Sequence, residues 1–368
     1  MKSKKKELIL FCPSIADGGL EKTLKIYSNF LKKDFRLILV TNTLNLKRLR
    51  TLDPKLKIFN PKNNFFIKKR VLNNLYCIFL TLYHFKGLPI FSLQDHFFLL
   101  ILKKLNFNFK LIIRTMSAIK NKKNKEEFKN LKKDIFVKNF ILSFYKYADL
   151  VITFSNSNKH FLQKHKGVKN VHVIYNYFKK YYGKKRLKKE YNIFFIGRLV
   201  LDKDPLFFLK NSLSVINKIP IRINIIGKGP CETELKSLAS AYPLKIKFFG
   251  WIENPLIKFN KKIDLLCITS KYDGTPNILG EAMAYKIPCL APRNIGLSNL
   301  LLNGGKYGEL YKANSNKDFQ KKIIQIVKNY KIYINKAIRG YNSLDRFNKK
   351  NTLEKLNGYL KKLLYENN

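Results

Sequence analysis

Along this chain of 368 residues, short apolar runs alternate with longer stretches whose apolar positions recur at helical spacing. Strand-like runs are Leu8–Cys12, Leu37–Thr41, Pro89–Ser92, Leu111–Arg114, Leu150–Thr153 and Val171–Ile174. A second series follows at Ile193–Ile196, Ile221–Ile226, Ile246–Phe248, Leu265–Ile268 and Pro288–Ala291. Between them lie amphipathic segments such as Glu21–Leu31, Ser157–Lys164, Pro205–Asn217, Glu232–Ala241 and Pro276–Tyr285. This alternation predicts an α/β protein of parallel sheets with helices on both faces, because parallel strands need crossovers. The polar, basic, aperiodic stretch Lys179–Arg186 divides the pattern. It predicts two Rossmann-like domains, 1–182 and 183–345, and a C-terminal helix over 346–368 returning toward the first. Ligands of open α/β sheets sit outside the carboxyl ends of the strands, so two such domains facing one another would make a cleft.

The longest apolar region, Val71–Leu93, is broken by Asn73, Asn74, His84, Lys86 and Pro89. It falls short of the roughly 20 clean apolar residues of a spanning helix. After a basic start, Leu8–Cys12 is too short for the core of a signal peptide. The expectation is a soluble or monotopic protein, cytoplasmic or peripheral at the inner face of the membrane.

Charge changes the picture more than composition does. There are 73 Lys and Arg against 24 Asp and Glu, a formal net charge of +49. Lys far outnumbers Arg, and Asn, Ile and Phe are plentiful, as an AT-rich genome would produce; an anionic partner is the other explanation. The charges are spread along the chain, yet such a surface attracts anionic headgroups or nucleic acid at low salt. Helix-turn-helix, zinc-finger and RNA-binding signatures are missing, so no specific nucleic-acid partner is expected. The five cysteines make no C-x-x-C pair and read as buried free thiols, and neither a metal site nor a cofactor is expected.

Four segments carry candidate chemistry. In T-S-K-Y-D-G-T-P-N-I-L-G-E-A-M-A-Y, from Thr269, a turn leads into a helix for which Thr275 suits the N-cap and Pro276 the first position. Such a helix mouth favours an anion, and Asp273 and Glu281 stand eight residues apart around it. In F-F-I-G-R-L-V-L-D-K-D-P a strand runs into Gly197, Arg198 and, five residues on, Lys203. Two cations there suit a departing diphosphate, Arg as a fork and Lys as a point charge. In I-N-I-I-G-K-G-P, Gly227 and Gly229 allow close backbone approach or simply a turn. Gly18-Gly19 after the first strand either presents N–H groups to phosphate or meets a turn's backbone demand.

Taken in order, these segments resemble the large retaining glycosyltransferase family commonly numbered four, of the GT-B fold, also called glycosyl transferases group 1. The resemblance rests on Gly18-Gly19-Leu20-Glu21, Ala148-Asp149-Leu150-Val151-Ile152 through Ser155, Val173-Ile174-Tyr175-Asn176 and Gly197-Arg198-Leu199 with Lys203. It continues in Gly227-Lys228-Gly229, Phe248-Phe249-Gly250-Trp251, and Asp273 with Glu281-Ala282-Met283-Ala284. It implies a retaining, metal-independent transfer of a sugar from a nucleoside-diphosphate donor, UDP being commonest. The acceptor would be a hydroxyl of a glycan or lipid-linked glycan, as in lipopolysaccharide or capsule synthesis. By that resemblance Arg198 and Lys203 hold the diphosphate, Asp273 meets the transferred sugar and Glu281 the ribose. Gly197, Gly227, Gly229, Gly274, Thr275, Pro276, Asn277, Ile278, Leu279 and Gly19 frame the donor, and Trp251 lies by the base. Gly18, Glu21 and Ser117 fall on the acceptor side.

Two positions depart from the family pattern. Asp273 stands where Glu is usual, and Arg114-Thr115-Met116-Ser117 holds no His where many members have one. These departures keep open an inactive, glycosyltransferase-like scaffold, and the charge keeps open a basic nucleic-acid-binding protein.

Overall fold

The computed structural model describes residues 5–15, 19–43, 56–60, 70–115, 137, 139–181, 187–271, 273–274 and 276–366. The chain forms two compact units, Met1–Asn176 with Lys349–Asn368, and Tyr177–Asn348. The division falls at 176/177, where the sequence pattern placed it at 182/183, and the C-terminal segment joins the first unit.

In the first unit the strands are β1 (Glu7–Phe11), β2 (Arg36–Val40), β3 (Lys57–Phe59), β4 (Ile90–Ser92), β5 (Leu111–Arg114), β6 (Leu150–Thr153) and β7 (Val171–Val173). They form one parallel sheet in the order β3-β2-β1-β4-β5-β6-β7. Its helices are α1 (Gly19–Leu31), α2 (Arg70–His84), α3 (Phe97–Lys104) and α4 (Asn156–Lys166). Central strands such as β1 and β5 are buried on both faces, which is why they read as unbroken apolar runs. Helix α4 starts where Ser155 Oγ accepts the Asn158 amide at 3.1 Å and stops at Gly167, whose φ of +63° is left-handed.

In the second unit the strands are β8 (Tyr191–Ile196), β9 (Ile221–Ile226), β10 (Ile246–Phe248), β11 (Leu265–Cys267), β12 (Cys289–Pro292) and β13 (Glu309–Tyr311). They are again all parallel, in the order β10-β9-β8-β11-β12-β13. Its helices are α5 (Pro205–Leu213), α6 (Glu232–Ala239), α7 (Pro255–Phe259), α8 (Asn277–Met283), α9 (Ser298–Leu301), α10 (Asn316–Lys328) and α11 (Tyr330–Ser343). The core joins β8 and β9 to Phe208, Leu209, Leu235, Phe319, Ile323 and Tyr330.

The last helix, α12 (Lys355–Tyr365), packs within the first unit. Asp34 holds it by accepting from Asn357 at 2.7 Å and pairing with Lys361 at 2.6 Å, and Tyr359 stacks on His172. All five cysteines are buried and outside any disulfide, and burial pushes the Cys77 thiol up to about 12. No described helix is long and apolar enough to cross a membrane.

His96, after β4, is buried with a ring nitrogen 2.7 Å from Tyr145 Oη. Burial depresses its pKa from 6.5 to about 4, with Asp95 opposing the shift. The unfolded chain therefore takes up a proton near pH 6.5 that the folded chain refuses until about 4. Stability is full above that window and falls as pH drops through it, by up to about 3 kcal/mol from this group. Urea melts from pH 7 to 4 (~the span of the shift) should show a steeper loss for the parent than for His96→Gln; equal slopes would refute the assignment.

Candidate active site

Both sheets reverse their strand order once, between β1 and β4 and between β8 and β11. Loops leaving the carboxyl ends of neighbouring strands diverge there and leave a crevice.

In the second unit, the loop after β8 carries Gly197, Arg198 and Lys203, and the loop after β11 carries Asp273 and Gly274. Several bonds tie the two loops together. Lys203 Nζ pairs with the Asp273 carboxylate. Thr269 Oγ1 donates to the carbonyls of Lys203 and Asp204 at 3.0 and 2.9 Å. The Lys271 amide donates to Asp202 O at 2.9 Å, and Lys271 Nζ lies 3.4 Å from Asp204. Asp204, at φ +47°, caps α5 by accepting the Phe207 amide at 3.1 Å, and Pro205 follows at the first helical position. Arg198 is exposed and makes no hydrogen bond or ion pair with any described residue.

The glycines of the loop after β9 have a specific packing role. A Cβ on Gly227 would lie 1.8 Å from Gly197 O, and one on Gly229 would lie 2.4 Å from Leu199 O. The ladder continues beyond the strands through Gly197 N to Ile226 O at 3.0 Å and Leu199 N to Lys228 O at 2.9 Å. Gly227 N also donates to Gly250 O at 2.8 Å, which brings in the loop of Trp251. The Trp251 side chain itself is half exposed. On the other flank, Gly296, at φ +53°, lies against the backbone of Asp273 and Gly274, where a Cβ would fall 2.5 Å from Asp273 O.

Helix α8 begins at Asn277, one residue later than the sequence suggested. Pro276, with ψ +84°, sits at the cap position instead of inside the first turn, and it has no side chain to cap with. Asn277, Ile278 and Glu281 are partly exposed, while Leu279 and Gly280 are buried; Gly280 makes room for the Phe178 ring. The structure thus brings Arg198, Lys203, Asp273 and Gly274 to the reversal, with Glu281 on the helix leaving it. Thr275, Gly18 and Ser117 lie outside the described residues.

In the first unit the reversal is built from polar side chains. Gln94, after β4, donates to Ser14 Oγ at 3.1 Å, and Asn73 Nδ2 donates to Pro13 O at 3.0 Å. Gly19 opens α1, its carbonyl accepting from Thr23 Oγ1 at 2.8 Å, and Glu21 lies in the first turn. Sequence reasoning passed over Arg114 at the end of β5. Its guanidinium is buried, donates to Asn176 Oδ1, lies 5.0 Å from the Tyr27 ring and has no carboxylate partner among the described residues. A cation at a strand's carboxyl end was the available signal.

Residues 178–342, nearly the whole second unit, match the family described as Glycosyl transferases group 1. Among curated proteins, an uncharacterised glycosyltransferase of Methanocaldococcus jannaschii is 28% identical over 214 residues, covering 49% of this chain and 52% of the relative. The Campylobacter jejuni α-1,4-N-acetyl-D-galactosaminyltransferase whose name specifies a PP-undecaprenol-linked glycan is 29% identical over 102 residues, 27% of this chain and 28% of the relative. The chain thus spans about half, or less, of these relatives. Among solved structures, TarM superposes with a TM-score of 0.79 at 15% identity, covering 98% of this chain and 99% of that one. This likeness and the two sheets show a GT-B fold.

The close backbone contact gives a stability test. Gly227→Ala forces a Cβ against Gly197 O at a φ of +149° and should destabilise by about 2–4 kcal/mol. At Gly197 an added Cβ meets only the Phe195 ring at 3.6 Å, so Gly197→Ala should stay within about 1 kcal/mol of the parent in urea melts.

Proposed function

We propose that the protein is a retaining, metal-independent glycosyltransferase that moves a sugar from a UDP-sugar to a hydroxyl of a lipid-linked glycan in surface polysaccharide synthesis. The observation that carries this reading is the ion pair of Lys203 with Asp273 at the strand reversal, on a loop that also carries Arg198, in a unit that matches Glycosyl transferases group 1. The acceptor class is supported by the PP-undecaprenol named for the C. jejuni relative. The donor class is supported by the UDP named in a further structure of S. aureus TarM.

In this reading Arg198, which has no partner among the described residues, meets the donor diphosphate first. Lys203 then exchanges its Asp273 partner for a phosphate oxygen, so one cation is delivered by substrate arrival. The released Asp273 accepts hydrogen bonds from hydroxyls of the transferred sugar, and Glu281 accepts from the ribose. As the bond from the anomeric carbon to the diphosphate oxygen breaks, negative charge grows on that oxygen, and the two cations lower its energy. The acceptor oxygen attacks the same face, forming the new glycosidic bond. Its proton passes to the leaving diphosphate, so no side chain need act as a covalent nucleophile of the retaining-glycosidase kind.

Transfer and donor hydrolysis across a panel of nucleotide sugars test this directly. No turnover with any donor would leave the inactive-scaffold reading standing. Arg198→Ala and Lys203→Ala should each lower kcat/KM by about 10²–10³, or about 2–4 kcal/mol. Asp273→Asn should separate the two halves of the exchange. UDP, which has no sugar, should bind more tightly by calorimetry once Lys203 is unpaired, while transfer falls. Weaker UDP binding by Asp273→Asn would sink the exchange.

A further inference from the structure

Helix α2 is apolar on both of its faces. Its buried face holds Cys77, Ile78 and Leu80 together with Asn73, Asn74 and Thr81. Its outer face holds Val71, Leu72, Leu75, Phe79 and Tyr83, with Phe79 at 61% and Tyr83 at 73% exposure. Residues 71, 75, 79 and 83 repeat every fourth position, so they form one stripe along the helix. Phe79 and Tyr83 stack on each other with ring centroids 6.0 Å apart. The inward polar groups are used: Asn73 accepts from Asn42 at 2.6 Å and donates to Pro13 O, Asn74 donates to Asp95 O at 2.6 Å, and Thr81 donates to Cys77 O at 2.7 Å. Scattered exposed apolar residues are ordinary, but a continuous stripe that water must cover marks a binding surface.

We propose that this face of α2 docks the first unit onto an anionic phospholipid bilayer. Charge selects the occupant. Between Asn60 and Ile90 the sequence has five basic residues and no acidic one; Arg70 is paired with Asp95, and exposed Lys86 follows the helix. A second copy would set one chain of net charge +49 against another, whereas an anionic leaflet complements both the stripe and its flanks. The 15 residues span about 22 Å, short of the ~30 Å hydrocarbon core, so the helix lies in the interface plane. Asn73 and Asn74 connect it to the loops after β1 and β4, so docking brings the reversal of the first sheet to the headgroups. That link to a lipid-borne acceptor rests on the proposed function; the docking itself does not.

The test uses the full chain and vesicles of phosphatidylcholine with or without phosphatidylglycerol. The variant Leu72→Ser/Leu75→Ser/Phe79→Ser/Tyr83→Ser changes only outward side chains, and circular dichroism and UDP binding check that it is intact. Its partition onto phosphatidylglycerol vesicles should fall about 10-fold or more. Emission from Phe79→Trp, read above the Trp251 baseline, should be quenched by brominated lipid. Parent-like partition of the fourfold variant would mean adsorption by charge alone and would overturn the proposal. So would a concentration-dependent dimer that the variant abolishes while vesicle binding is unchanged. Stripe-dependent docking in a protein that transfers no sugar would overturn the functional reading and leave the docking in place.

Discussion

The ion pair between Lys203 and Asp273 joins two loops that leave the sheet on opposite sides of its reversal. Without a bond across it, the reversal would be a gap between diverging loops, and Arg198 would have no fixed relation to α8. The pair does not stand alone, because Thr269 and Lys271 stitch the same loops through backbone carbonyls and amides. Backbone bonds of this kind hold position whether or not Lys203 is engaged. The ion pair can therefore open to a ligand while the loops stay in register, which is what a site that exchanges one partner for another requires.

The same logic explains the glycines. Gly227 and Gly229 admit the backbone of residues 197–199 to within a distance that any side chain would block. Their contribution is indirect: they set the height of the loop that carries Arg198. In the first unit, polar side chains do this work instead. Gln94, Asn73 and Asn74 gather the loops after β1 and β4, and they draw α2 inward. Cys77, Ile78 and Leu80 bury on the same side, and the apolar stripe from Val71 to Tyr83 stays outside.

Much of the fold was legible because central parallel strands are apolar on both sides. Runs such as Leu111–Arg114 and Ile221–Ile226 coincide with the observed strands. The edge strands β3 and β13 were missed: both are three residues long, and Lys57 and Glu309 interrupt their apolar signal. Inspection of the apolar run from Val71 could not reveal that Asn73 and Asn74 point into the protein, since burial of an amide depends on partners distant in sequence. The loops of the second unit were legible as motifs, and their positions at the reversal follow from strand order. The pairing of Lys203 with Asp273 was not legible, because cation and carboxylate had been assigned to different parts of a ligand. Arg114 was passed over because the segment was searched for a histidine.

The distribution of acidic residues sharpens the meaning of the net charge. Asp264, almost fully buried, pairs with Lys188 at 2.8 Å. Asp149 pairs with Lys103 at 3.1 Å, and Asp34 anchors α12. Glu309 accepts from Lys322, Lys336 and Tyr333; burial raises its pKa, but these bonds outweigh burial and hold the carboxyl below its ordinary range. These carboxylates are internal staples between elements, each already matched to a cation. With 73 Lys and Arg against 24 Asp and Glu, such pairs leave a large surplus of cations. At the start of α2 the same pairing recurs, Arg70 being matched to Asp95, while Lys86 beyond the helix is exposed.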